Sequence, residues 1–223
     1  MPAVKAAIFD AYGTLLDIHA AMGRHADRIG PHWQRVSHEW RAKQLEYTWV
    51  RTLTGPSHHK DFWQLTQDAL DVVLARHRLD PALRPLLLDA YRNLQPHPGI
   101  PDMLARLKEL GIGTGILSNG EPSMLADAVK SAGIAPLLDA VISVEAAGVF
   151  KPDRRVYGLG TARFEGPANN IAFVSANAWD AFGARAFGYR VYWLQREGEP
   201  DDYGLASSST VISDLTALPD LLA

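Results

Sequence analysis

Short β-branched apolar runs recur along the chain, and most are followed by turn residues and then by a helical pattern. The runs are Val4–Phe9, Ile112–Leu117, Ala140–Val144, Ile171–Val174, Arg190–Leu194 and Thr210–Ile212. Continuous apolar runs of this length are typical of strands buried on both faces of a parallel sheet. Between them the spacing predicts helices over Pro101–Leu110, Pro122–Ala132, Asp153–Arg163 and Ala178–Phe187, three of them closed by Gly111, Gly133 and Gly188. Proline near the start and glycine just past the end are the usual helix punctuation. Alternating β and α elements imply a Rossmann-like, doubly wound parallel sheet with right-handed crossovers.

One region breaks the alternation. From residue 18 to 96 the pattern contains no convincing strand, and helical periodicity covers Ile18–Ile29, Ser37–Leu53, Lys60–His77 and Pro81–Leu94 instead. Asp80-Pro81 reads as an N-cap followed by proline at the first helical position. His97-Pro98-Gly99 then returns the chain to β/α alternation. The organisation expected is an α/β core made of residues 1–17 and 97–223, with residues 18–96 inserted as a helical cap resembling a four-helix bundle. An insert after the first strand sits above the carboxyl ends of the strands, where open α/β sheets bind ligands. It is therefore expected to act as a lid.

Composition narrows the function classes. A formal net charge of −3 over 223 residues provides no basic stripe for nucleic acid and no polybasic membrane patch. No stretch reaches the roughly 18 consecutive apolar residues of a membrane span, and the N-terminal run ends too early for a signal peptide. The expectation is a soluble, cytoplasmic protein. The chain has no cysteine, which removes disulfides, thiolate metal sites and cysteine nucleophiles together.

Four polar clusters follow successive strands. Asp10 closes the first, in Asp10-Ala11-Tyr12-Gly13-Thr14-Leu15, where Gly13 permits a sharp turn and the Thr14 hydroxyl can point back at the carboxylate. A carboxylate held in that way is a candidate nucleophile, although a strand-terminal aspartate also caps loops. Ser118-Asn119-Gly120 follows the second strand and can grip an anionic group, or merely turn the chain. Lys151-Pro152 follows the third and can keep a nearby carboxylate ionised; a solvated lysine before a helix is the plainer reading. Ser175-Ala176-Asn177-Ala178-Trp179-Asp180 follows the fourth, and Asp180 suits either the helix dipole, an anchor for Lys151 or the activation of water. Each cluster is modest alone. Together they converge, by topology, on one crevice.

These clusters resemble the four motifs of the haloacid dehalogenase superfamily, and more narrowly those of its L-2-haloacid dehalogenases. The resemblance extends into the cap, where Trp40-Arg41-Ala42-Lys43-Gln44-Leu45-Glu46-Tyr47-Thr48-Trp49 is similar to that subgroup's characteristic helix. It implies that Asp10 is the nucleophile, oriented by Thr14, Ser175 and Tyr157, the last also meeting substrate. Lys151 and Asp180 would be the charged pair beside it. Ser118 would hold the substrate carboxylate, and Arg41, Asn119 and Trp179 would surround the departing halide. Asn177 would place water, and Tyr12, Leu45 and Phe62 would wall the apolar side. Two departures put substrate range in question: Ala42 stands where relatives often carry glutamine, and the loop 54–60 brings His58 and His59 toward the pocket.

The implied activity is hydrolysis of (S)-2-haloalkanoic acids and haloacetates to 2-hydroxy acids. It inverts the carbon through an aspartyl ester and needs neither cofactor nor metal. Tyr12 stands where phosphatase relatives keep a second aspartate to protonate an alkoxide, and halide leaves without a proton. Mg²⁺ sites use several oxygens, usually two or more carboxylates, whereas the fourth motif holds the single acid Asp180. The partners implied are the small halogenated acid, the halide ion and a second copy of the chain. Two readings compete on the same fold, a Mg²⁺-dependent phosphatase or phosphonate hydrolase and a non-catalytic binding module. A nucleotide-binding oxidoreductase is disfavoured because no G-x-G-x-x-G follows the first strand.

Overall fold

The computed structural model describes residues 4–223. Six strands form one parallel sheet: β1 (Ala6–Phe9), β4 (Gly113–Ser118), β5 (Ala140–Ser143), β6 (Ile171–Ser175), β7 (Arg190–Leu194) and β8 (Thr210–Ile212). Their order is β5-β4-β1-β6-β7-β8. The chain therefore builds outward from β1 in both directions, and the order reverses at β1, with β4 on one side and β6 on the other. Phe9 pairs with Ile116 and with Val174. That register brings the carboxyl ends of three strands to one level, where the crevice of such a sheet lies. β1 is buried throughout and β6 likewise, because helices cover both faces.

The core helices are α6 (Ile100–Glu109), α7 (Pro122–Ser131), α8 (Arg154–Phe164) and α9 (Ala178–Phe187), with the short α10 (Leu205–Ser208) and α11 (Leu218–Leu222) closing the chain. Side-chain oxygens satisfy the first N–H groups of two of them: Glu121 accepts from Ser123 and Met124, and Asp153 from Arg155.

Between β1 and α6 lie α1 (Ile18–Gly23), α2 (Ala26–Ile29), α3 (Trp33–Thr54), α4 (Phe62–Arg76) and α5 (Leu83–Arg92). α3 packs on α1 and α4, and α5 on α1 and α4. Their apolar faces join the buried side chains around the sheet in one continuous cluster.

Three local expectations need correction. Residues 18–96 do contain a strand: β3 (Gln95–Pro96) pairs antiparallel with β2 (Leu16–Asp17), tying the two ends of the helical segment together. Two residues are too few to leave a periodic signature. The helix expected over Ile18–Ile29 is broken after Gly23, against which the Trp33 ring packs so closely that a Cβ would stand 3.2 Å from it. The helix placed at Pro81 begins at Leu83, because Asp80 accepts from Ala82 N–H and closes a turn first. Among the described residues no helix is long and apolar enough to cross a membrane.

Candidate active site

Asp10 stands at the carboxyl end of β1, its own N–H donated to Val174 O on β6 at 2.9 Å. The chain then turns at once: Gly13 adopts φ +85°, and the Leu15 and Leu16 N–H groups both fold back onto Ala11 O at 3.0 Å. That turn aims Thr14 at Asp10. The Thr14 hydroxyl accepts the Ala176 N–H at 3.0 Å, which leaves its proton for Asp10 Oδ2 at 3.2 Å. Asn177 occupies the N-cap of α9 but makes no side-chain cap. Its amide Nδ2 instead donates to Asp10 Oδ2 at 2.8 Å. A residue type selected by helix starts has been diverted to the carboxylate.

Lys151 approaches from the other side. Its Nζ donates to Asp10 Oδ1 at 3.2 Å and to Asp180 Oδ2 at 2.7 Å, and lies 5.1 Å from the Phe173 ring centre. Lys151 is 1% exposed, Asp10 5% and Asp180 0%, so solvent screens this triad little. Burying a single cation here would be very costly, and two carboxylates offset that cost. Burial pushes the Asp180 pKa up to about 6, against the pull of the Lys151 charge and with help from Asp10. Asn119 Oδ1 accepts the Lys151 N–H at 3.0 Å, locking the lysine's backbone to the end of β4.

Ser118 and Ser175 are fully buried at strand ends, where their hydroxyls accept from Gly120 N–H and Asn177 N–H, both at 3.1 Å. Tyr157 is set behind Asp180, donating to its Oδ1 at 2.8 Å. It bonds Asp180 rather than Asp10, so it reaches Asp10 only through the Lys151 anchor.

The helical layer roofs this cluster. Arg41, Leu45 and Thr48 lie along one face of α3, and the Arg41 guanidinium is 6.0 Å from the Phe62 ring centre. Tyr12 stacks on Tyr91 at 5.5 Å and leans on Phe62 at 6.0 Å. Gly120 approaches the Tyr12 ring so closely that a Cβ would stand 2.9 Å away, so glycine is what lets the ring sit there. Burial raises the Tyr12 pKa well above the ordinary value; Tyr91 and, more weakly, Asp10 add to the rise, and the charges of Arg41 and Arg92 oppose it. Among the described residues, four buried side-chain polar atoms lack a hydrogen-bond partner, and three of them are Tyr12 OH, Arg41 Nη1 and Asn119 Nδ2. Unpaired buried donors are costly in a finished protein, and three at one site are the mark of a place that receives an acceptor. Arg41, Asn177 and Gly13 also line a cleft of about 410 Å³ open to solvent.

Not every candidate meets this pocket. Trp179 is half-buried against Trp49 of α3, ring centres 5.6 Å apart, beside an outer cavity. Ala42 is exposed on the outer face of α3, so whatever stands there does not line the site. His58 is exposed as well, while His59 stacks on Phe150 at 5.2 Å, which in turn packs on Phe62. Among the described residues no three His, Asp or Glu side chains converge as metal ligands would.

The sequence reading missed a supporting network. Gln44 is fully buried, donates to Thr66 Oγ1 at 3.0 Å and accepts from Tyr91 OH at 3.2 Å; Trp40 Nε1 donates to Thr66 O at 2.9 Å. These bonds fix α3 against α4 and α5, and with them the origin of Arg41. The available signal was a glutamine on the apolar face of α3, four residues from Trp40 and Thr48.

Comparison with known proteins agrees with this geometry. A relative named (S)-2-haloacid dehalogenase 1, from Pseudomonas sp. (strain CBS-3), is 42% identical over 100% of this chain and 98% of its own. A crystal structure of a dehalogenase superposes with a TM-score of 0.96 at 39% identity, covering 100% of this chain and 99% of the other. The L-2-haloacid dehalogenase from Xanthobacter autotrophicus, solved with chloropropionic acid covalently bound, superposes with a TM-score of 0.89 at 31% identity over 98% of each chain. The model of the haloacid dehalogenase-like hydrolases matches residues 4–188, a span holding all of the crevice residues described above. A β1 that ends in Asp10 between β4 and β6, a buried Lys151 between two aspartates and likeness over the whole chain lead to one conclusion: this chain belongs to the haloacid dehalogenase-like hydrolases.

Proposed function

We propose that this protein is a hydrolytic dehalogenase. It converts (S)-2-haloalkanoic acids and haloacetates to 2-hydroxy acids, inverting C2 through an ester on Asp10. The observation that carries the reading is the contrast around Asp10. One side holds an ionised cluster with its hydrogen bonds made, and the other offers Arg41 Nη1, Tyr12 OH and Asn119 Nδ2 without partners. Displacement at saturated carbon needs nucleophile and leaving group on opposite sides.

In the first step an Asp10 carboxylate oxygen bonds to C2 while the carbon–halogen bond breaks, and halide departs with the electron pair. Arg41 receives the developing anion beside the apolar rings of Phe62 and Tyr12, where a cation is worth more than in water. Ser118, at the end of β4, with its neighbouring N–H groups holds the substrate carboxylate, and Leu45 completes the apolar wall; Trp179, turned to the outer cavity, takes no part. In the second step water attacks the Asp10 carboxyl carbon, placed by Asn177 and assisted by Asp180, which takes the proton. The bond between the carboxyl carbon and the ester oxygen breaks, that oxygen takes the proton held by Asp180 and leaves as the hydroxy acid, and the second proton of the water is released as Asp10 returns to its carboxylate. Thr14, Ser175 and Tyr157 orient the carboxylates. The positive charge these steps require is supplied by Lys151, so the reading includes no metal and no cofactor.

A phosphatase would need a proton donor two residues after the nucleophile, and Tyr12 there is committed to a ring stack with Tyr91 and Phe62. The reading treats residues 18–96 as the lid on a core of residues 1–17 and 97–223, of which 1–3 lie outside the described residues. It also takes the chain as a cytoplasmic homodimer. The exposed Trp49, Val50 and Leu53 of α3, with Phe182 and Tyr203 across a cavity of about 450 Å³, support the dimer.

A single turnover of (S)-2-chloropropionate in heavy-oxygen water is the test. The label is expected first in Asp10 and only in later turnovers in lactate; label entering the first product molecule directly would overturn the ester route.

A further inference from the structure

Arg196 takes no part in the chemistry above, yet it grips the loop that carries the nucleophile. It follows β7 by two residues and is exposed along part of its length, but its guanidinium forks onto two successive backbone carbonyls. Nη1 donates to Gly13 O at 2.9 Å and Nη2 to Thr14 O at 2.6 Å. Burial lowers its pKa, while Asp17 and Asp214 oppose this through space. A guanidinium placed against neutral carbonyls, rather than in a carboxylate pair, gives up hydration for position.

Position matters here. The clamped carbonyls belong to the turn at Gly13, the point where the chain leaves β1 with φ +85°. Thr14 reaches Asp10 Oδ2 from that same turn, and Leu16–Asp17 continues from it into the β2–β3 pair that bears the helical layer. We infer that Arg196 is a positioning residue: it locks the 11–16 loop so that Thr14 and Asp10 keep the geometry of attack, and it thereby sets the rate of the chemical step rather than substrate affinity. This rests on Asp10 being the nucleophile.

Arg196 also lines the cleft shared by Arg41 and Asn177, so a role in drawing the anionic substrate is the alternative the experiment has to separate. Arg196→Met, Arg196→Lys and Asp10→Asn are assayed together by halide release from (S)-2-chloropropionate, with amide hydrogen exchange read on residues 11–17. Arg196→Met is expected to lower kcat about tenfold or more with KM within about twofold, and to speed exchange in that loop by about tenfold. Arg196→Lys recovers part of kcat, because an ammonium satisfies the carbonyls without the fork. Unchanged kcat and unchanged exchange in Arg196→Met would overturn the clamp, as would a raised KM at unchanged kcat. Halide release by Asp10→Asn at the original rate would instead sink the nucleophile assignment, while the exchange readout still reports on the clamp.

Discussion

The floor and the roof of the crevice are built on opposite plans. On the floor, the carboxylates of Asp10 and Asp180 meet Lys151, and Thr14, Asn177 and Tyr157 add further donors. The roof is apolar, and the donors it shares with the crevice wall, on Arg41, Tyr12 and Asn119, have no partner. A satisfied floor keeps the Asp10 carboxylate in one geometry, so, on the proposed reaction, little reorganisation remains for the transition state. An unsatisfied roof keeps its hydrogen-bonding capacity for a charge that appears only during reaction. Catalysis by differential binding needs both halves.

The sharpest way to break this comparison is to strike the floor. Lys151→Met leaves two buried carboxylates without their cation, and breaking a buried pair costs about 3–5 kcal/mol. For a chain of this size that is a fall in Tm on the order of 10 °C, and halide release should drop by about 10³ or more. A Lys151→Met protein with normal Tm and activity would show that the floor is not held electrostatically.

The roof should respond differently. Arg41→Met removes an Nη1 that has no hydrogen-bond partner, and with it only the guanidinium's contacts to Tyr91 and the Phe62 ring, so Tm should fall by no more than about 4 °C. Halide release should nevertheless fall on the order of 10². If stability fell as it does in Lys151→Met, the distinction between a committed floor and an uncommitted roof would fail.

The mildest test is acid. Asp180, pushed up to about 6 by burial, must be ionised to anchor Lys151. Log kcat should therefore decline with a slope of about one below pH 6. Stability runs the other way. The folded pKa of Asp180 lies above its unfolded value, so its contribution to stability is fully present below about pH 4 and lost as pH rises through about 6. A flat kcat between pH 5 and 8 would contradict the anchoring role.

Much of this molecule was legible in one dimension. β1, β4, β6 and β7 were readable because a strand buried on both faces must be apolar throughout. The polar clusters behind them were readable because topology alone carries the ends of adjacent parallel strands to one edge. Asp10, Lys151 and Asp180 could be gathered on that ground before any distance was known. The two-residue β2–β3 pair left no comparable trace, since period needs length. Tyr157 could be placed near the crevice, but not behind Asp180 rather than beside Asp10.

What the sequence determined by itself was thus the order of elements and the kinds of group that meet at the sheet edge, because both follow from local periodicity and connectivity. Tertiary structure alone decided which atoms pair and which stay unpaired. The exposure of Ala42, the burial of Gln44, the diversion of Asn177 from its cap and the grip of Arg196 on Gly13 and Thr14 all depend on packing between segments far apart in the chain. Hydrogen bonds form or fail over tenths of an ångström, a scale that a residue pattern does not encode.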